Sequence, residues 1–230
     1  MKKIYYITAV FATLFLVGCG DGIDLPGVNV ETDLNKIPLP DNNVNLEQVE
    51  LKPSTEPMLH EGLHTEEDFQ RIRDKKAAGE EPWISAYQLL VESQFSQKTA
   101  DTYPTEWIKR GVSGDENYMN AARGATIVYQ QALRWKIEQD DEYAAKAVEN
   151  LNKWVQTCVG VTGNTNLSLA AGLYGYEFAI AGELLRDYEG WDRADFAAFQ
   201  NWLLKVFYPA NDDFLKRHHD TNALHYWANW

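Results

Sequence analysis

From residue 65 onward, apolar positions recur every three to four residues, the period of one face of an α-helix. Thr65-Glu66-Glu67-Asp68 has the form of a capping box, in which the Thr side chain accepts from the fourth amide and the acid reaches back. Phe69, Ile72 and Arg73 follow at helical spacing, and Gly79 is the expected stop. Pro82 suits a first helical position and leads into a stripe of Trp83, Tyr87, Leu90, Val91 and Phe95. Asp115 is the expected cap of a long segment with Ala121, Ala125, Val128, Ala132, Trp135 and Ile137 on its apolar side. Tyr143, Ala147, Leu151, Trp154 and Val155 form the next stripe. Leu167 to Tyr188 is rich in Ala, Leu and Gly, and its small residues (Ala170, Ala171, Gly172, Gly175, Ala179, Gly182) allow close helix packing. Asp192 is the expected cap of a helix with Phe196, Phe199, Trp202, Leu203 and Val206 inward, ended by Pro209.

No run alternates with period 2, so strands are expected to be few. The pattern predicts an all-α fold of antiparallel helical hairpins joined by short loops. Two hairpins stand out: Asn117–Gln139 with Glu142–Cys158, and Leu167–Tyr188 with Asp192–Phe207. A row of hairpins predicts part of an (α/α) toroid, without the strict repeat of the fixed-signature repeat families.

The first residues read differently. Met1-Lys2-Lys3 is a short positive region, and Ile4 to Val17 is an apolar run of 14 residues, the length of a signal-peptide core and short of a membrane span. Leu16-Val17-Gly18-Cys19 looks like a bacterial lipobox, with Cys19 as the lipidated residue. Residues 1–18 are therefore expected to be a lipoprotein signal peptide. Residues 19–58 hold five of the eight prolines and no aromatic residue, the composition of a disordered, flexible linker. The toroid domain is expected over 59–230. Localisation follows as lipid-anchored to a bacterial membrane, periplasmic or on the cell surface.

Composition narrows the chemistry. Lys plus Arg is 21 and Asp plus Glu is 34, for a net charge of −13, which excludes nucleic acid as the main partner. Once Cys19 is acylated, Cys158 has no partner for a disulfide; between Val155 and Val159 it reads as a buried structural thiol. A monomer is expected.

Three of the five histidines fall in the last thirteen residues, in a locally basic segment: Lys216, Arg217, His218, His219, Asp220, Thr221, Asn222, Ala223, Leu224, His225, Tyr226, Trp227, Ala228, Asn229, Trp230. If helical from Asn222, it places Asn222, His225, Tyr226 and Asn229 on one face. The loop Gly160–Asn166 supplies Asn164 and Asn166, fitting turns with Asn166 as a helix cap. His60 and His64 fit a turn entering the domain. Asp212-Asp213 reads as a loop pair. The histidines lack zinc-site spacing, and no nucleophile elbow, phosphate loop or dinucleotide fingerprint is present. No metal or cofactor is implied.

The His60–Phe69 segment, the Trp83 region, Asn164-Thr165-Asn166-Leu167-Ser168-Leu169-Ala170-Ala171-Gly172 and His225-Tyr226-Trp227-Ala228-Asn229-Trp230 together resemble the alginate lyase-like superfamily of bacterial polysaccharide lyases. The resemblance implies an incomplete (α/α) toroid with a long groove, and β-elimination on alginate or another polyuronate. It implies Asn222 and His225 as the catalytic pair that neutralises the uronate carboxylate. Tyr226, Trp227, Arg217, His218, His219, Asn164 and Asn166 are then expected to bind the acidic polysaccharide. Ala223 and Leu224 stand where the best-known alginate lyases carry Asn and His. Lys216, Arg217, Arg123 and Arg134 are candidates for a locally positive groove. The family's catalytic Tyr and Arg have no match here, so the chain is expected to be the N-terminal portion of a longer lyase. The competing readings are a non-catalytic glycan-binding lipoprotein on the same scaffold and an α/α-toroid glycoside hydrolase, which needs two spaced carboxylates.

Overall fold

The computed structural model describes residues 63–218, which lie within one compact unit, Asp41–Trp230. The order is α1 (Glu66–Ala77), α2 (Trp83–Glu92), a 3-10 turn (Gln94–Ser96), β1 (Trp107–Arg110), α3 (Tyr118–Glu138), α4 (Asp141–Thr157), β2 (Gly160–Gly163), α5 (Asn166–Leu185), α6 (Arg193–Val206) and α7 (Tyr208–His218). The fold is all-α in class, with one small strand pair. No helix among the described residues is long and apolar enough to cross a membrane.

The capping box at Thr65 forms as its residue types dictate. Asp68 N donates to Thr65 Oγ1 at 3.2 Å, and Thr65 N donates to Asp68 Oδ2 at 3.0 Å. Acidic residues occupy the first turn of α1, and Lys75 and Lys76 the last, matching the helix dipole. Gly79 stands beyond the helix end at a φ of 69°. Pro82 is the residue before α2 rather than its first, and Phe95 falls in the 3-10 turn. No side chain of α2 is fully buried, so its stripe is half-covered.

At α3 the expected cap is corrected. Asp115 pairs with Lys109 Nζ at 2.6 Å instead. Asn117 precedes the helix, but its amide serves the strand: Oδ1 accepts from Lys109 N at 2.7 Å, and Nδ2 donates to Trp107 O at 2.9 Å. Binding an adjacent strand outweighs capping because it satisfies two groups at once.

The strands are a second correction. β1 and β2 pair in parallel, with Trp107 opposite Gly160 and Arg110 opposite Gly163. Each has four residues, too few to show alternation, and β2 reads as a turn because glycine bounds it. Both glycines are required by close approach: a Cβ at Gly160 would enter the Trp107 ring, and one at Gly163 would meet Arg110 O.

α3 and α4 run antiparallel, with Gln131 bonded to Asn150 at 3.1 Å and Gly124 against the Trp154 indole. α3 and α5 run parallel, since Tyr118 stacks on Tyr174 and, further along α3, Trp135 meets Tyr188, just past the end of α5, edge-on. From α3 to α5 the direction thus alternates, with α3 and α5 side by side in the same sense. The core between them is aromatic: Phe178 touches Trp154, Trp202 and Phe207. Truncating one such ring to Ala costs ~3–5 kcal/mol. Small residues allow this approach, with Gly175 against Phe207 and Gly182 against Phe199.

Asp192 caps α6 as expected, accepting from Ala194 N at 2.7 Å. Two further expectations are corrected at the chain's far end. Pro209 lies in the first turn of α7, where its missing N–H is not needed, and Asp212 and Asp213 are helical rather than in a loop.

Candidate functional site

The C-terminal ends of β1 and β2 bring polar groups from four elements together. Arg110 ends β1 with its guanidinium carbon 4.6 Å from the centre of the Tyr118 ring. One of its terminal nitrogens donates to Tyr174 Oη at 3.1 Å. The two rings stack nearly parallel, 5° apart in tilt with centres 6.4 Å apart, and Arg110 is held between a phenol face and a phenol oxygen. Among the described residues no carboxylate pairs with it. Burial pushes the Tyr174 phenol above its ordinary pKa, and the Arg110 charge opposes that rise. Tyr174 is therefore a neutral hydrogen-bonding group at any ordinary pH.

Asn164 meets this cluster from β2. Its amide lies against Gly111, where a Cβ would overlap it, and Gly111 has a φ of 80°. The Gly111 amide donates to Glu116 Oε1 at 2.5 Å. Asn164 Oδ1 accepts from Asn166 N at 2.9 Å. Asn166 is therefore the first residue of α5, not its cap, and the turn is closed by Asn164. The Asn164 side chain remains exposed. Asn164 is thus placed against Gly111, next in the chain to Arg110, which carries no local signal in Lys109-Arg110-Gly111. Its partners lie eight and sixty-four residues away, at Tyr118 and Tyr174.

A second polar group sits further along α3. The Tyr129 hydroxyl and His64 Nε2 are hydrogen-bonded at 2.6 Å, and the rings stack with centres 5.9 Å apart. Burial lowers the His64 pKa more than the nearby Asp68 charge raises it, which favours the neutral imidazole. Glu177, bonded to the Thr126 side chain, is pushed upward by burial. The expected entry turn therefore contains a specific long-range contact, which the spacing of His60 and His64 did not signal.

Arg217 and His218 close α7. His219, Asn222, His225, Tyr226, Trp227 and the lipidation residue Cys19 lie outside the described residues. Arg134 is corrected as a groove cation: it is buried, paired with Glu138 and Tyr143, and donates to Ser96 Oγ at 3.2 Å. Lys216 pairs with Asp212 at 2.9 Å. Cys158 is buried and its thiol is pushed up to about 11, as expected of a structural cysteine. Among the described residues no group of three or more His, Cys, Asp or Glu side chains is arranged to hold a metal.

The Alginate lyase family matches this chain over residues 72–230. The chain belongs to the alginate lyase family. No curated protein and no solved structure gives a match. In this alginate lyase family member the matched span contains Arg110, Tyr118, Asn164, Asn166 and Tyr174, and leaves out His64. The strand-end cluster is therefore the stronger candidate site, and the His64–Tyr129 pair the weaker.

Proposed function

We propose that this protein is a polysaccharide lyase that cleaves a uronic-acid polymer, alginate or another polyuronate, by β-elimination. The observation that carries the reading is Arg110: a half-buried guanidinium with no described carboxylate partner, in a chain of net charge −13 that belongs to the alginate lyase family. A half-buried cation held by neutral phenols, with no carboxylate to balance its charge, is suited to an external anion.

The chemistry fits such a group. The C5 proton of a uronate becomes removable when the adjacent carboxylate is neutralised. Guanidinium and amide donors around that carboxylate stabilise the charge developing on it. A phenol or imidazole base takes the C5 proton. The C5–H electron pair becomes the C4=C5 double bond as the C4–O4 bond breaks, and O4 leaves with a proton. We assign carboxylate binding to Arg110 with Asn164, and keep Asn222 and His225 as the neutralising pair nearest the reacting carbon. Asn166, Arg217, His218, His219, Tyr226 and Trp227 remain polymer-binding residues in this reading. The parallel placement of α3 and α5, with α4 antiparallel to α3, supports an (α/α) toroid. Cys19 is proposed to carry a lipid that holds the protein to a bacterial membrane.

The test is incubation with alginate and glucuronan while following ultraviolet absorbance of the unsaturated product. A rise is expected, reduced about 10- to 100-fold by Arg110→Ala, the worth of a charge-assisted contact. Tyr174→Phe should lower activity less, since it keeps the ring. No rise with any uronate polymer sinks the reading. Binding without turnover would select the glycan-binding role, and reducing ends without a double bond the hydrolase.

A further inference from the structure

We propose that the concavity beside Arg123 is a second subsite, taking the carboxylate-bearing sugar ring of a uronate unit; this rests on the polyuronate reading above. The cavity, about 360 Å³, lies between the first half of α3 and the segment from Gln94 to Tyr103. That size falls in the ~300–1,000 Å³ range of small-molecule sites. α3 contributes Asn120 and Arg123, and the facing segment contributes Thr99 and Tyr103.

Charge selects the ligand. Among the described residues nothing hydrogen-bonds or pairs with the exposed Arg123 guanidinium. The one carboxylate in the wall, Asp101, is already compensated. Lys153 Nζ lies at 2.6 Å and Lys146 Nζ at 3.6 Å from its Oδ1, and Thr102 N donates to the same oxygen at 3.0 Å. These contacts hold its carboxyl below the usual range. An arriving carboxylate therefore meets a free guanidinium and an acid already paired with two lysines, which Glu149 shares.

Shape selects a sugar over a small inorganic anion. The Tyr103 ring is 74% exposed at the rim, a flat apolar surface of the kind that takes the C–H face of a pyranose. Met119, one turn before Arg123 on the same helix face, is also exposed. The Asn120 amide adds a donor and an acceptor for ring hydroxyls. The wall is rigid: Gln131, fully buried, donates to Gln97 O at 2.9 Å and to Ala100 O at 3.1 Å. A pre-formed wall lowers the ordering cost of binding.

The experiment is calorimetric titration of the full chain with a glucuronate tetramer, and with a neutral glucose tetramer as control. Arg123→Ala, Tyr103→Ala and Arg110→Ala are compared, with melting temperature confirming that each folds; Arg123 and Tyr103 are exposed, so both variants keep the core intact. Arg123→Ala should weaken uronate binding about tenfold, Arg123→Lys less, and the neutral tetramer should show no dependence on Arg123. Uronate binding that responds to Arg110→Ala but changes less than about twofold in Arg123→Ala overturns the subsite and leaves the lyase reading standing. Absence of uronate binding by the unaltered chain, with no unsaturated product, overturns both.

Discussion

Replacing Thr102 with Val isolates one hydrogen bond in the core. The Trp154 indole N–H donates to Thr102 Oγ1 at 2.6 Å, with Trp154 at 0% and Thr102 at 5% exposure. Valine keeps the branch and nearly the volume but removes the acceptor. The indole cannot turn to another partner, because Gly124 is pressed against it so closely that a Cβ there would overlap the ring nitrogen. The N–H is then buried and unsatisfied, at a cost of ~1–3 kcal/mol. For a folded region of this size, 2 kcal/mol corresponds to a fall of about 4–8 °C in melting temperature. Urea unfolding followed by circular dichroism should show a lower midpoint with unchanged slope. In a Trp154→Phe background, which has no N–H to strand, Thr102→Val should cost less than ~0.5 kcal/mol. A full cost persisting in that background, or a change under ~0.5 kcal/mol in the native one, refutes the reasoning.

Three other outcomes are expected. Gly111→Ala puts a methyl into the Asn164 amide at positive φ; it should cost ~1–3 kcal/mol in urea unfolding and weaken uronate binding together with stability. His64 has a folded pKa below its ordinary 6.5, so its contribution to stability is complete above that value and is lost as pH falls through the folded pKa. The stability difference between neutral and mildly acidic buffer should therefore shrink in His64→Gln, and an unchanged difference would contradict the assignment. In a Cys19→Ser chain, Cys158 should resist a thiol reagent in native buffer and react on unfolding, because its thiol is buried and pushed up to about 11.

What the sequence discloses about this fold is what neighbours within a few residues decide. The Thr65–Asp68 box, the Asp192 cap and the stripes through Val128, Leu151 and Phe199 all depend on contacts one or two turns away, and the structure carries each of them. The strand pair does not. Gly160 and Gly163 look like turn residues because nothing local reveals the Trp107 ring or the Arg110 carbonyl that demands them. Asp115 and Asn117 are equally good caps by type, yet Asn117 precedes the helix with its amide holding β1 rather than capping. The site shares this division. Asn164 and Asn166 were visible as a polar turn, whereas Arg110 gains its significance only from Tyr118 and Tyr174, which the fold brings to it.

The parallel strand pair has a kinetic consequence. Trp107 pairs with Gly160, fifty-three positions later, with the whole α3–α4 hairpin between them. The hairpin can form from neighbours, while the strands must close a long loop before their bonds repay the lost chain entropy. Strand pairing should therefore follow the hairpin during folding. In the native protein, the Lys109, Arg110 and Asn164 amides should exchange with solvent sooner than those in the middle of α3. The pieces that gather around Arg110 would then be the last to assemble and the first to loosen, while the aromatic core behind them stays shut.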